Sequence, residues 1–106
     1  MDEWTDVAPV DDFPAGTVRT VDLDGTPVAV VNVDGRYHAI EDLCSHEEET
    51  LSTGAVEGDQ IICPRHGARF SLVTGAALSA PACEPVTCFP VRVEAGTVQV
   101  RDDRWD

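Results

Sequence analysis

Residues 17–40, TVRTVDLDGTPVAVVNVDGRYHAI, decide the fold. Three runs rich in valine are separated by Asp24-Gly25 and Asp34-Gly35. An Asp-Gly pair between β-forming runs signals a tight hairpin, because glycine accepts the positive φ that a two-residue turn demands. A third candidate hairpin has Ala95-Gly96 between CFPVRVE and TVQVR. No stretch sustains a helical period, though VDDFPAG has room for a brief helical turn. Short strands at this spacing predict an all-β fold, a small antiparallel β-sandwich. The 106 residues suit one domain, spanning 1–106. Residues of about 41–87 differ from the rest, being richer in Gly, Pro, Cys and His, with only short strands such as QIIC. That segment is read as a metal-binding subdomain inserted into the β framework.

Composition narrows the function. The chain is 42% hydrophobic and 25% charged, which is globular rather than disordered. No apolar run approaches the roughly 18 residues of a membrane span, and MDEWTD has no apolar leader, so a cytoplasmic protein is expected. Reduced thiols in that compartment favour cysteines as ligands or buried groups over disulfides. Twenty acidic residues face seven basic ones, all arginine, for a net charge of −13. That charge disfavours nucleic acid and anionic membranes, and it suits a basic protein partner steered in and held most strongly at low salt.

Two of the three histidines sit beside cysteines, as Cys44-x-His46 and Cys63-x-x-His66, with sixteen residues between His46 and Cys63. Each motif offers one thiolate and one imidazole, so two facing turns would supply two sulfurs and two nitrogens. A tetrahedral zinc site is the ordinary reading of such a set, and a zinc-stabilised binding module is the rival from another class. Zinc fingers, however, pair like with like, cysteines in one motif and histidines in the other. A four-thiolate cluster does not fit either, since Cys44, Cys63, Cys83 and Cys88 contain no C-x₂-C pair. A [2Fe–2S] cluster with two thiolates on one iron and two imidazoles on the other remains.

C-x-H followed after sixteen residues by C-x-x-H-G resembles the Rieske motif pair. The similarity runs from VAPVDDFPAG to CEPVTCFPVRVEAGTVQV, and is greatest to the small Rieske ferredoxins of bacterial aromatic-ring-hydroxylating dioxygenases. The resemblance implies one [2Fe–2S] cluster held by Cys44 and Cys63 on the inner iron and by His46 and His66 on the outer iron, near solvent. It implies a one-electron carrier, not an enzyme, between a flavin-dependent reductase and a terminal oxygenase. The small subunit of an assimilatory nitrite reductase is a second possibility with similar chemistry. An oxygenase is excluded by counting, because only His38 is left for a mononuclear iron, and no dinucleotide fingerprint is present. The respiratory relatives carry a cysteine pair where this chain has Glu49 and Arg65, and a Ser and a Tyr where it has Ala68 and Phe70. Fewer hydrogen-bond donors, with the acidic run Glu47-Glu48-Glu49 beside His46, predict a potential of roughly −150 mV, the low end of the Rieske range.

Other residues are read as structural. Cys83 and Cys88 are expected to be free, mostly buried thiols, and His38 a strand histidine. Phe13, Phe70 and Phe89 are assigned to the core, Trp4 and Trp105 to sheet edges. Gly54, Gly58 and Gly67 are expected to allow tight turns or close backbone approach.

Overall fold

The computed structural model describes residues 3–44, 50–64, 67–79 and 84–104. Among the described residues, the regular structure is ten strands: β1 (Thr5–Pro9), β2 (Val18–Leu23), β3 (Thr26–Val33), β4 (Arg36–Glu41), β5 (Val56–Glu57), β6 (Gln60–Ile62), β7 (Arg69–Ser71), β8 (Cys88–Phe89), β9 (Val91–Glu94) and β10 (Thr97–Val100). Among the described residues there is no α-helix, only a 3₁₀ turn over Val10–Asp12, inside the stretch where a brief helical turn was expected. The strands form three sheets, ordered β1-β10-β9, β2-β3-β4-β8 and β5-β6-β7, and every strand pairing is antiparallel.

All three expected hairpins form. Asp24 and Gly25 take φ of 51° and 91°, and Asp34 and Gly35 repeat those values. Two successive positive φ angles give the primed turn whose twist matches the flanking strands. Ala95 and Gly96 make the β9–β10 turn in the same way, at 52° and 80°. Side chains brace two of these turns. The Gly25 N–H donates to Asp22 Oδ1 at 2.8 Å, and the Gly35 N–H to Asn32 Oδ1 at 2.7 Å. Asn32 is itself buried, and its Nδ2 donates to the Phe13 carbonyl at 2.7 Å.

Strand β3 explains the layering. Its residues Val28 to Val31 are all fully buried. Alternate side chains point to opposite faces of a strand. Val28 and Val30 therefore join Phe13, Leu23, Ala39, Phe89, Val98 and Val100 in one core, which links the central sheet to β10. Ala29 and Val31 join Ile40, Leu51, Ile61, Phe70 and Leu72 in a second core, which links the central sheet to the β5–β7 sheet. The central sheet is thus covered on both faces, and a valine-rich run without polar interruption is what such a strand requires.

The three phenylalanines assigned to the core are buried. Trp4 lies beside the end of β1, with the Arg92 guanidinium 4.3 Å from its ring centre and that of Arg101 at 5.8 Å. Trp105 lies outside the described residues.

Candidate metal centre

The first motif leaves the end of β4. Two backbone bonds pin the chain there, Glu41 N–H to Thr87 O and Asp42 N–H to Pro27 O, both at 2.8 Å. Leu43 follows, with about a third of its surface exposed, and then Cys44, which is 3% exposed. The second motif leaves β6. The Cys63 N–H donates to the Ala68 carbonyl at 2.7 Å, and the Gly67 N–H returns to the Cys63 carbonyl at 3.0 Å. These bonds close a short loop between β6 and β7, and Gly67, at φ +74°, occupies the left-handed position such a closure needs.

Backbone packing also reaches the strand that leads into Cys63. Gly54, between the two motifs in sequence, packs so closely that a Cβ there would stand 1.8 Å from the Ile62 carbonyl oxygen. Ile62 immediately precedes Cys63. Gly54 therefore serves close approach, whereas Gly58 and Gly67 have open space beside them and serve their positive φ.

Cys44 and Cys63 belong to one buried cluster with Leu51, Ile61, Ala68 and Phe70. Two sulfurs delivered by two separate turns into one apolar cluster suit a shared metal group. A thiolate so deeply buried is unfavourable without a compensating cation, and metal ligation supplies one. His46 and His66, with Ser45, Glu47, Glu48, Glu49 and Arg65, lie outside the described residues. Ala68 and Phe70 are fully buried, and neither side chain carries a hydrogen-bond donor. Among the described residues, no group of three or more His, Cys, Asp or Glu side chains converges; Cys44 and Cys63 are brought together as a pair.

Sequence reasoning missed Asp42 and Ser52. Asp42 is 4% exposed and accepts two hydrogen bonds from Ser52, from its N–H and its hydroxyl, both at 2.7 Å. The available signal was an aspartate between the β4 run and a ligand cysteine, where an apolar residue would cost less to bury. Cys88 opens β8 as a half-buried free thiol, as expected, and burial pushes its pKa above the ordinary thiol value. Cys83 lies outside the described residues. His38 stands on β4 opposite Val31, part-exposed and lining an open depression with Asp34, Arg36, Asp59 and Val73.

Residues 3–90 match the family described as the Rieske [2Fe-2S] domain. The ferredoxin component of the naphthalene 1,2-dioxygenase/salicylate 5-hydroxylase systems of Ralstonia sp is 37% identical over 98 residues, covering 92% of this chain and 94% of that protein. The ferredoxin of carbazole 1,9a-dioxygenase from Nocardioides aromaticivorans IC177 superposes with a TM-score of 0.89 at 34% identity, over 93% of this chain and 97% of that one. A chain from a complex of reduced oxygenase and oxidised ferredoxin in carbazole 1,9a-dioxygenase gives 0.88 at 40% identity, over 92% and 91%. A putative NADH-dependent nitrite reductase small subunit from Mycobacterium tuberculosis is more distant, at 0.84 and 29% identity over 94% and 95%.

Proposed function

The chain belongs to the Rieske [2Fe-2S] domain family, and from that membership we propose that it is the ferredoxin component of an aromatic-ring-hydroxylating oxygenase system. It carries one electron at a time from a flavin-dependent reductase to a terminal oxygenase and catalyses no reaction of its own. The observation that carries this reading is the burial of Cys44 and Cys63, brought by two turns into one apolar cluster. Near-complete coverage of ferredoxin components supports it, and the nitrite reductase subunit is the weaker neighbour.

Cys44 and Cys63 would hold one iron of the group, and His46 and His66 the other. Bound there, a [2Fe–2S] group accepts and gives up a single electron. Two neutral imidazoles in place of two thiolates make the site less negative, which eases reduction. Leu51, Ile61 and Phe70, all fully buried beside the two cysteines, keep water from the sulfur side. Residues of about 41–87 act as the cluster-binding subdomain of a single domain. Among the described residues no helix is long and apolar enough to cross a membrane. The working form is a cytoplasmic monomer whose partners dock briefly, steered by the −13 charge.

The test is EPR of the purified protein before and after dithionite, with iron and sulfide analysis. A signal that appears only on reduction, with average g below the free-electron value and equal iron and sulfide, is expected. Zinc in place of iron, persisting after expression in iron-replete medium, would refute the carrier and leave a zinc-stabilised module.

A further inference from the structure

Asp42 stands two residues before Cys44, and its carboxylate is enclosed. A buried carboxylate is unfavourable unless its oxygens are hydrogen-bonded. Here each oxygen receives one donor, and both donors belong to Ser52, ten positions onward. The pair therefore joins the two ends of the segment that carries Cys44.

The connection continues past Ser52. The Gly54 N–H donates to the Leu51 carbonyl at 2.9 Å, and Gly54 lies against the Ile62 carbonyl. Ile62 in turn donates to the Ala55 carbonyl at 2.9 Å and leads into Cys63. On its other side Asp42 is fixed to Pro27, next to the start of β3. A continuous path of short contacts thus runs from the central sheet through Asp42 and Ser52 to the second sulfur-bearing turn.

We infer that Asp42 is a positioning residue for the metal centre. Through Ser52 it ties the strand end that leads into Cys44 to the stretch that leads on to Gly54, and its carboxylate charge makes the addition of an electron nearby less favourable. No more than about 7 Å of backbone separates its Cα from that of Cys44. The inference rests on the carrier reading above and names a residue that tunes that same site.

The experiment uses the loaded full chain and two variants. D42N keeps the side-chain shape and removes the charge. S52A keeps the charge and removes one of the two bonds. The readouts are midpoint potential by redox titration, EPR of the reduced protein, and iron release to a chelator. One unit charge at about 10 Å and an effective dielectric of about 20 changes a one-electron equilibrium roughly tenfold. D42N is therefore expected to raise the midpoint by about 59 mV, the equivalent of that factor. S52A is expected to release iron about tenfold faster, the scale of one hydrogen bond to a charged group. Thermal unfolding reports whether each variant folds, and S52A carries the test should D42N fail to fold. A loaded parent whose variants keep its midpoint and its release rate overturns this inference alone. A parent without iron and sulfide overturns the carrier reading and this inference with it.

Discussion

Replacing Gly54 by Ala tests whether close backbone packing between Gly54 and Ile62 positions the strand that leads into Cys63. The new Cβ would lie 1.8 Å from the Ile62 carbonyl oxygen, 3.0 Å from its carbon and 3.2 Å from the Leu51 oxygen. Ordinary contact begins near 3.4 Å, so something must move by about 1.5 Å. The obstacle is backbone, not a flexible side chain. Ile62 is held by its bond to Ala55 on one side and by its pairing with Arg69 on the other. Overpacking of this kind costs about 1–3 kcal/mol, and with two stretches of backbone opposed the upper end, about 3 kcal/mol, is expected. For a domain of this size that lowers Tm by roughly 12–24 °C. The displaced residue precedes Cys63, so the variant should also bind less iron and sulfide per chain. Gly58→Ala is the control, since φ there is +58° and a Cβ would meet nothing within 4 Å. It should cost only about 1 kcal/mol, the strain of a left-handed alanine, with full iron content. Calorimetry and iron and sulfide analysis of both variants decide the matter. A Gly54→Ala protein that melts within about 4 °C of the parent and holds full iron refutes the reasoning.

Asn32→Ala removes the acceptor of the Gly35 N–H and the donor to the Phe13 carbonyl. A loss of about 2 kcal/mol in urea unfolding is expected, and an unchanged midpoint would contradict it. Cys88→Ala should leave iron, sulfide and potential as in the parent, because its free thiol lies on β8, outside the proposed ligand set; altered EPR would argue otherwise. The raised pKa of Cys88 also predicts slow alkylation at neutral pH in the native parent, measurable by mass spectrometry. The Arg104 guanidinium holds the Asp102 carboxyl down at about 2, from an ordinary 3.8. A depressed carboxylate adds stability above the ordinary value and loses it as pH falls through the folded one. Asp102→Asn should therefore flatten stability slightly between about pH 4 and pH 2; the effect stays small because an ion pair at the surface is screened by water and salt.

The fold was legible where short-range chemistry decides it. Asp24-Gly25, Asp34-Gly35 and Ala95-Gly96 each announce a turn through a conformation that few residue pairs accept, and all three turns form. What periodicity left open was which sheets cover β3. An unbroken valine run states that both faces are buried, but not that β10 lies over one and β6–β7 over the other, because those partners are distant in sequence. Cys44 and Cys63 were legible as candidates for a related reason, since mixed Cys and His spacing is chemically restrictive, and the structure buries both in one cluster. Asp42 and Ser52 were not, because a clamp between residues ten apart leaves no periodic trace. Glycine spacing was likewise silent on why each glycine is needed: Gly54 answers to a neighbouring carbonyl, Gly67 to its own φ.

The division of the core bears on what the metal group is for. A structural zinc domain depends on its metal to fold, since its few apolar residues cannot form a core alone. Here the core formed by Phe13, Leu23, Val28, Val30, Ala39, Phe89, Val98 and Val100 contains neither Cys44 nor Cys63. It is closed by hairpins whose turns are set by backbone conformation and braced by Asp22 and Asn32. Cys44 and Cys63 sit in the other core, where a protonated cysteine packs as a small apolar side chain. The sandwich therefore has its own source of stability on the side away from the ligands. A metal group on the ligand side is then free to change charge by one unit without governing whether the chain is folded, which is the requirement of an electron carrier and not of a zinc-stapled module.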